Sequence, residues 1–327
     1  LPSKRSEMSS DSDGRRVFVV FNPASDRGRA VRRIDRFLSL LQKHLPGFEH
    51  AGTSRPGEES LLADQAITEG FDLIVAVGGD GTWSNVADRI VASGKENVAL
   101  GILASGTGND FGRNFGISMR NPDRAVQALA NRFVRHLDVG RILTGASPLR
   151  PEAGPTETSK GRHFLNLVGF GFDVAVIEDT AGARFLRGEL LYQMTALKNL
   201  FFYSGVPLVL ESDGPTVDAD HLMLTISNAP FFGGGYLIAP AAELDDGLLD
   251  ACAIGNTPAF KRLRLFNAAP KGRHVVSDHV QMRQSARFSV RFPSPPKYEV
   301  DGELWQAEGT EVIVEAVPRA LRMVVPG

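Results

Sequence analysis

The sequence predicts an α/β plus β protein, in which an N-terminal doubly wound α/β domain precedes a mostly β domain. Up to Asp138, apolar runs alternate with amphipathic segments, which is typical of a parallel sheet covered by helices. After Asp138, short apolar runs are separated by turn residues, which favours a β domain. The length of 327 residues exceeds one ordinary domain and fits two.

The first half contains buried strands that alternate with helices. Apolar runs predict strands at 17–21, 73–77 and 98–103, and amphipathic segments predict helices at about 82–92 and 122–131. Another helix follows the first strand, and its apolar face comprises Val31, Ile34, Leu38, Leu41 and Leu45. Ligands of such a β-α-β-α sheet bind beyond the carboxyl ends of the strands.

The second half is predicted to consist mainly of strands. They are expected at 139–143, 164–168, 206–210, 222–227, 248–254, 288–292 and 297–300. Helices are predicted at 188–202 and 260–267, and residues 145–161 predict a flexible hairpin loop. The expected organisation is a disordered tail (1–14), an α/β domain (15–138), a mostly β domain (139–308) and a C-terminal segment (309–327) that could return to the first domain.

Composition excludes several classes of protein. A formal net charge of −2 gives no global basic field for nucleic acid. The single cysteine, Cys252, excludes a disulfide framework, fits a reducing compartment, and lies in an apolar run where a buried structural thiol is expected. Because no run of 18 apolar residues occurs, no membrane-spanning segment is predicted, and we expect a cytoplasmic protein.

The turn Gly78-Gly79-Asp80-Gly81-Thr82 follows a buried strand and opens a predicted helix. Such a glycine-rich turn lets backbone N–H groups approach a phosphate at a helix N-terminus. The carboxylate of Asp80 would repel that phosphate unless a cation, a proton or a donor network lies between them. The turn therefore favours metal-dependent phosphoryl transfer over simple anion binding.

Other carboxylates also follow strands or occupy turns: Asp110, Asp138, Asp245, Asp246, Asp301 and Glu303. Magnesium prefers oxygen ligands of this kind. An isolated Asp-Gly pair is more often only a turn, but Asp80 and Asp110 follow successive strands, which favours a functional role for both. The sequence lacks a Gly-x-x-x-x-Gly-Lys-Ser/Thr loop, the protein-kinase motifs, the dinucleotide fingerprint, a Gly-x-Ser-x-Gly elbow and histidines at metal-ligand spacing.

Taken together, these motifs resemble the diacylglycerol kinase catalytic family of bacterial lipid kinases, which is related to sphingosine and ceramide kinases and more distantly to NAD kinases. The resemblance runs from about Arg16 to the end. It involves Asn22-Pro23, Gly78 to Thr82, Gly106 to Phe111, Leu137 to Gly140, Phe232 to Pro240, Asp246 to Asp250, and Asp301 to Glu303. It implies an NAD-kinase-like α/β domain and a C-terminal β-sandwich-like domain.

The resemblance also implies a role for each matching position. An ATP site would include Asn22, Pro23, Ala24, Ser25, Asp26, Thr53, Gly78, Gly79, Asp80, Gly81, Thr82, Trp83, Ser84, Thr107, Asn109 and Asp110. Asp80, Asp110 and Asp138 would form a carboxylate–water–magnesium network that reaches Asp246.

On the second domain, the resemblance implies that a structural magnesium is held by the Asp246 side chain with the Glu243 and Leu248 carbonyls. Asp301 would be the catalytic base, with Glu303 as the alternative. Asp80 would be the nucleotide-side end of the catalytic network.

The sequence departs from the family pattern at two places. Asp26 stands where the family usually has glycine, which brings a negative charge to the expected phosphates. Ser84-Asn85 replaces a common Asn-Glu pair, so the usual glutamate that braces the turn is missing.

The resemblance predicts an ATP- and magnesium-dependent lipid kinase that acts on a lipid at a membrane surface, with diacylglycerol as the default acceptor. Alternative functions are a ceramide or sphingoid-base kinase, an NAD kinase, and a nucleotide-binding regulatory protein with weak catalysis. Apolar residues at 190–203 and 231–236 are expected in the core, or alternatively around an acyl chain or at the membrane. Peripheral membrane association is expected, and a homodimer is a possible assembly.

Overall fold

The structure is a computed structural model that describes residues 16–23, 30–55, 57–149, 161–182 and 198–327. The chain divides into two compact units. Their described residues are 16–138 with 319–327, here the first unit, and 139–149 with 161–318, here the second unit. The predicted tail, most of the predicted helix at 188–202, and Ala24, Ser25 and Asp26 lie outside the described residues.

The first unit contains a parallel sheet. Its strands are ordered β2-β1-β3-β4, and the C-terminal end of β18 pairs with β4 through Met323 and Leu100. The bounds are Val17–Phe21 (β1), Glu49–Gly52 (β2), Leu73–Gly78 (β3), Ala99–Ala104 (β4) and Glu311–Val324 (β18). The two central strands, β3 and β4, are buried along their whole length, as their uninterrupted apolar sequences require.

The helices of the first unit connect these strands. Their bounds are Ala30–His44 (α1), Glu58–Thr68 (α2), Asp80–Ser93 (α3), Asp110–Arg113 (α4) and Pro122–Asn131 (α5). Sequence patterns predicted α1, α3 and α5 but not α2. They also missed β2, because its sequence Glu-His-Ala-Gly has no apolar run and three of its four residues are exposed.

The second unit is built mainly from antiparallel strands. Along one path they are ordered β15-β9-β10-β8-β16-β17-β6, with β13 also paired to β10 and β14 to β13. Their bounds are Val134–Ile142 (β5), Ala146–Pro148 (β6), Arg162–Phe164 (β7), Leu167–Gly171 (β8), Val206–Glu211 (β9), Val217–Ser227 (β10), Phe231–Phe232 (β11), Tyr236–Leu237 (β12), Leu249–Gly255 (β13), Val280–Ser285 (β14), Arg287–Arg291 (β15), Lys297–Val300 (β16) and Glu303–Ala307 (β17). Strands β5 and β18 each continue from one unit into the other.

Two longer helices accompany this sheet in the part of the second unit that the structure describes. They are Phe172–Gly182 (α6) and Ala259–Ala268 (α7), and residues 198–202 are also helical. Short 3-10 turns at Ala269–Lys271 and Arg273–Val276 follow α7. Sequence patterns predicted α7 but missed α6, β14 and β17. Part of the predicted loop at 145–161 is the strand β6, which pairs with β17.

The two faces of β13 show how the second unit is packed. Ala251 and Ala253 lie in one apolar cluster with Phe170, whereas Cys252 and Ile254 lie in another with Leu265 of α7. This alternation is that of a strand buried on both faces. Cys252 is fully buried, as expected, and burial raises the pKa of its thiol to about 12.

Among the described residues, no helix is long and apolar enough to cross a membrane.

Candidate active site

Two glycine-rich turns meet at the carboxyl end of the first unit's sheet. The carbonyl of Gly78, at the end of β3, accepts hydrogen bonds from the N–H groups of Ser105 (2.7 Å) and Gly106 (3.1 Å), just after β4. A Cβ atom added to Gly106 would lie 2.5 Å from the Cα of Gly79, and one added to Gly79 would lie 3.1 Å from the Cα of Gly106. The two backbones are therefore in direct contact, which only glycine permits at both positions.

The carboxylates of Asp80 and Asp110 lie beside this contact. Asp80 begins α3, and its Oδ1 accepts the N–H of Phe111 in α4 (2.9 Å). Asp110 is buried, and its carboxylate pairs with Arg113 (3.0 Å). A Cβ atom on Gly108 would lie 3.1 Å from Asp80 Oδ2 and 3.5 Å from Asp110 Oδ2, so both carboxylates border the same small space. The structure thus brings together two of the carboxylates singled out in the sequence.

Asn109 holds the second turn in shape. It adopts a left-handed conformation (φ 52°), which asparagine tolerates better than most residues. Its Oδ1 accepts the N–H of Gly106 (3.1 Å), and its Nδ2 donates to the carbonyl of the same residue (2.7 Å). The side chain of Asn109 therefore closes the turn on itself.

The residues after Asp80 support the first turn from inside the unit. Trp83 is fully buried, and its indole N–H donates to the carbonyl of Ala76 in β3 (3.1 Å). The side chain of Thr82 covers Gly78 so closely that a Cβ atom there would lie 2.5 Å from it. Ser84 is also buried. These placements leave the backbone of Gly79 and Gly81 and the side chain of Asp80 as the accessible part of the turn.

The other described residues of the first unit that were predicted to bind the nucleotide lie at the same edge of the sheet. The N–H of Asn22 donates to the carbonyl of Val77 (3.3 Å), and that of Thr53 donates to the carbonyl of Phe21 (2.9 Å). Pro23 follows Asn22 in the turn after β1, and Thr107 is exposed in the turn after β4.

Asp138 is buried in β5 and accepts the N–H of Arg319 through its Oδ1 (2.6 Å). This hydrogen bond joins β5 to β18 within the first unit. Asp138 therefore has a structural role in the first unit, in addition to the role predicted for it in a magnesium network.

Two further side chains lie near these turns. Arg33 of α1 donates to the carbonyl of Ser105 (3.2 Å) and brings a positive charge to the turn after β4. Glu59 of α2 is buried and accepts a hydrogen bond from Nδ2 of Asn85 (2.9 Å). Asn85 stands where the family commonly has glutamate, so Glu59 supplies a carboxylate at this position from another helix. No local signal in the sequence linked the two residues.

In the second unit, Asp301 and Gly302 form a two-residue hairpin between β16 and β17. Both have positive φ (47° and 89°), as a type I′ turn requires. Three backbone N–H groups bind the Asp301 carboxylate: those of Leu165 (2.8 Å), Asn166 (2.8 Å) and Leu167 (3.1 Å). The carboxylate is therefore fixed in place, and Glu303 follows it as the half-buried first residue of β17.

The predicted magnesium ligands lie on an exposed turn before β13. Asp246 Oδ1 accepts the N–H of Leu248 (2.9 Å), and both Asp246 and Glu243 are exposed. Burial raises the pKa of Asp250 to about 6, and the charges of Asp246 and Glu243 add to the shift, so the local potential is negative. In the described part of the chain, no three His, Cys, Asp or Glu side chains cluster as a metal site. The predicted ligand set of one carboxylate and two carbonyls is of another type, and magnesium would suit such oxygen ligands on a turn of negative potential.

An apolar cavity of about 70 Å³ lies in the second unit. Its wall consists of Phe172, Leu200, Leu222, Met223, Phe232, Tyr236, Ile238, Ile254, Leu265, Phe266 and Ala269, with Asp173, Gly233, Arg262 and His274. Phe232 and Tyr236, expected in the core, are half-buried and line this cavity, whereas Phe202 is 82% exposed. The aromatic segments predicted from the sequence thus divide between cavity wall and surface.

Comparisons with known proteins show which families the two parts of the chain match. The model of the diacylglycerol kinase catalytic domain matches residues 16–142, and that of the YegS C-terminal NAD kinase beta sandwich-like domain matches residues 166–325. A diacylglycerol kinase of Mycobacterium tuberculosis (strain H37Rv) is 29% identical over 313 residues, which cover 95% of each chain. A diacylglycerol kinase of Bacillus subtilis (strain 168) is 25% identical over 297 residues, covering 88% of this chain and 90% of the relative.

Solved structures support the fold. The crystal structure of a diacylglycerol kinase from Bacillus anthracis str. Sterne is similar with a TM-score of 0.69 at 17% identity, covering 96% of this chain and 98% of the other. Another crystal structure from the same strain has a TM-score of 0.74 at 19% identity and covers 98% of each chain. These similarities confirm the predicted fold class, an α/β domain followed by a β-sandwich-like domain.

Proposed function

Because the chain belongs to the diacylglycerol kinase catalytic family and is a lipid kinase, we propose that it transfers the γ-phosphoryl group of ATP to the free hydroxyl of diacylglycerol. The observation that carries this proposal is the pair of touching glycine turns with Asp80 and Asp110 beside them. The backbone of the half-buried Gly79 and Gly81 can approach phosphate oxygens, and the carboxylates can hold a hydrated cation against those oxygens. Phosphoryl transfer depends mainly on such positioning and charge stabilisation.

The first unit would bind the nucleotide, as predicted for Asn22 to Asp26, Thr53, Gly78 to Ser84 and Thr107. Since Trp83 and Ser84 are buried, their proposed contribution is to hold the turn in shape. Arg33 adds a positive charge beside Ser105, which would offset part of the negative charge of a bound phosphate.

Magnesium would be held near Asp80, Asp110 and Asp138, and a structural ion by the Asp246 side chain with the Glu243 and Leu248 carbonyls. When bound, magnesium supplies positive charge that stabilises the transferring phosphoryl group. Asp80 and Asp110 would orient its water ligands, since both carboxylates border the space beside Gly108.

Asp301 would accept the proton of the lipid hydroxyl, with Glu303 as the alternative base. The three N–H groups of Leu165 to Leu167 hold the Asp301 carboxylate at a defined position, which a base requires. Glu303 lies two residues further along the same hairpin, so a shift of the turn would move both carboxylates.

A lipid acceptor is supported by the apolar cavity of the second unit. Its wall is almost entirely hydrocarbon and aromatic, which suits acyl chains and disfavours the polar dinucleotide that an NAD kinase phosphorylates. Ceramide and sphingoid bases also carry long chains, so the cavity does not separate them from diacylglycerol.

The acceptor would be taken from an anionic membrane, and α7 with the turns after it offers a surface for it. Residues 257–280 contain four exposed basic side chains, the buried Arg262 and one acidic side chain, in a protein whose net charge is −2. Phe260 is 77% exposed and Val276 is 84% exposed, while Leu265 on the inner side of α7 lines the cavity. Exposed apolar side chains among cations are typical of a surface that docks on anionic lipid.

Vesicle flotation tests this membrane surface. Lys261→Glu with Arg264→Glu reverses two exposed charges on α7, and we expect it to reduce binding to anionic vesicles by at least tenfold. Arg120→Glu with Arg124→Glu makes the same change in charge on exposed residues of the first unit and is the control. An equal loss of vesicle binding in both double variants, or no binding by the wild type and the control, would contradict this membrane surface.

A cytoplasmic location and assembly as a homodimer remain predictions.

The proposed activity is tested with labelled ATP and magnesium over a panel of diacylglycerol, ceramide, sphingosine and NAD. We expect transfer to diacylglycerol above the other acceptors. Transfer to ceramide or sphingosine instead would replace the acceptor while keeping the lipid-kinase chemistry. Transfer to NAD alone would refute the proposal, and ATP binding without transfer to any acceptor would favour a regulatory protein.

A further inference from the structure

Glu299 connects the body of the second unit's sheet to the Asp301–Gly302 turn. It is fully buried in β16, and its Oε2 accepts the N–H of Gly302 (2.7 Å). Its other oxygen, Oε1, is buried and has no hydrogen-bond partner among the described residues. One half of this carboxyl group thus holds the turn, and the other half faces the interior.

Asp173, in the first turn of α6, approaches Glu299 from the other side. Its Oδ1 accepts the N–H of Val174 (2.9 Å), and its Oδ2 is likewise buried without a partner in the part of the chain that the structure describes. A Cβ atom built on Gly169 would lie 1.7 Å from Asp173 Oδ2 and 2.9 Å from Glu299 Oε1. The two oxygens without a partner are therefore no farther apart than the sum of these distances, and the absence of a side chain at Gly169 leaves room for both.

Among the residues that the structure describes, no cation contributes to the pKa of either carboxyl group. The titratable groups around them are Asp301 beside Glu299 and Tyr203 near Asp173. Arg262 and His274 line the same cavity as Asp173, and Arg262 donates to the carbonyls of Thr257, Leu200 and Tyr203 and to Asn256 Oδ1. Lys297 is the nearest cation on the same strand as Glu299, but it pairs with Glu178 (2.7 Å). Burial raises the pKa of Asp173 to about 7, and burial together with the charge of Asp173 raises the pKa of Glu299 well above its usual range.

We propose that Asp173 and Glu299 share one proton and that this pair positions the Asp301–Gly302 turn for phosphoryl transfer. An O–H···O bond between the two groups satisfies both orphan oxygens and leaves a single negative charge, which the N–H groups of Val174 and Gly302 stabilise. Both residues are positioning residues, since their effect on the reaction passes through the turn. The catalytic part of this inference rests on the proposed role of Asp301 or Glu303.

The shared proton predicts how stability varies with pH. The folded protein keeps a proton that the unfolded chain, with ordinary carboxyl groups, releases near pH 4. The pair therefore contributes most below that pH, and its contribution falls as pH rises towards 7 and beyond, because the folded state must then lose the proton or retain it at growing cost.

The first test measures the proton and does not require activity. Asp173→Asn and Glu299→Gln each replace one carboxyl group by a neutral amide of the same shape, and Asp218→Asn makes the same change at an exposed site in β10. We expect the wild type and Asp218→Asn to show the infrared band of a protonated carboxyl group at pH 7, and the double variant Asp173→Asn with Glu299→Gln to lack it. The double variant should also lose the decrease in unfolding free energy between pH 4 and 7. An identical band or an identical pH profile in all proteins would overturn the shared proton.

The second test measures positioning. Glu299→Gln keeps an oxygen for the N–H of Gly302, whereas Glu299→Leu removes it at similar volume. We expect Glu299→Leu to lower kcat for lipid phosphorylation at least tenfold with the KM for ATP unchanged, and Glu299→Gln to recover most of this loss at pH 7. Wild-type kcat in a folded Glu299→Leu protein would overturn the positioning role. If the wild type phosphorylates no lipid, the proposed function fails, but the infrared and unfolding results still decide whether the proton is shared.

Discussion

The contact between Gly79 and Gly106 allows a graded test of how tightly the two glycine-rich turns are joined. In Gly106→Ala the new Cβ atom would lie 2.5 Å from the Cα of Gly79, a distance that requires the backbone to move. In Gly79→Ala the corresponding distance to the Cα of Gly106 is 3.1 Å, so a smaller shift is needed. Overpacking of this kind costs about 1–3 kcal/mol. We expect Gly106→Ala near the upper end of that range and Gly79→Ala near the lower end.

The same displacement should weaken nucleotide binding, because it separates the backbone that would face the phosphates. Urea unfolding gives the stability of each variant, and calorimetric titration gives the Kd for ATP with magnesium. Gly309→Ala is the control, since a Cβ atom there has no neighbour within 4 Å. The reasoning would be refuted if Gly106→Ala matched Gly309→Ala in both measurements, or if Gly79→Ala proved the more damaging of the two turn variants.

Three further predictions follow from other contacts. Trp83→Phe loses the indole hydrogen bond to the carbonyl of Ala76 and should lower the free energy of unfolding by about 0.5–1.5 kcal/mol. The Kd for ATP should change by less than about threefold. A large change in Kd with unaltered stability would contradict the role of Trp83 as a support of the turn. Leu222→Trp should fill part of the apolar cavity and raise the KM for diacylglycerol without altering the KM for ATP. An equal rise in both KM values would contradict an acyl-chain site in this cavity. Asp301→Asn should lower kcat at least about 100-fold, as measured by labelled-phosphate transfer, and the same loss in Glu303→Gln alone would transfer the role of base to Glu303.

The parts of the fold that could be predicted are those in which a local pattern determines the structure. Continuous apolar runs identified β3 and β4 because both strands are buried on both faces. Helix α3 begins at Asp80 rather than at the predicted Thr82, since the carboxylate and glycine of the turn already belong to its first turn. β2 was missed because its edge position requires no apolar residue.

In the candidate site, too, residues that belong to a local sequence pattern could be predicted, and residues brought together only by the fold could not. The position of Asp80 and Asp110 after successive strands favoured a functional role for both, and the structure places both beside Gly108. The pair of Glu59 and Asn85 could not be predicted, because 26 positions separate them and neither belongs to a local motif. Asp173 and Glu299 were missed for the same reason: only the pairing of β8 with β16 brings Gly169 opposite Glu299 and opens the space that both carboxyl groups share.

The most direct test of the central claim is the transfer of labelled phosphate from ATP to diacylglycerol by the purified full chain, with and without magnesium. The account predicts that the labelled product is a phosphorylated diacylglycerol, that it forms only when magnesium is present, and that Asp110→Asn reduces its rate by at least tenfold. Failure to label any lipid while NAD is phosphorylated, or an equal rate after removal of magnesium, would contradict it.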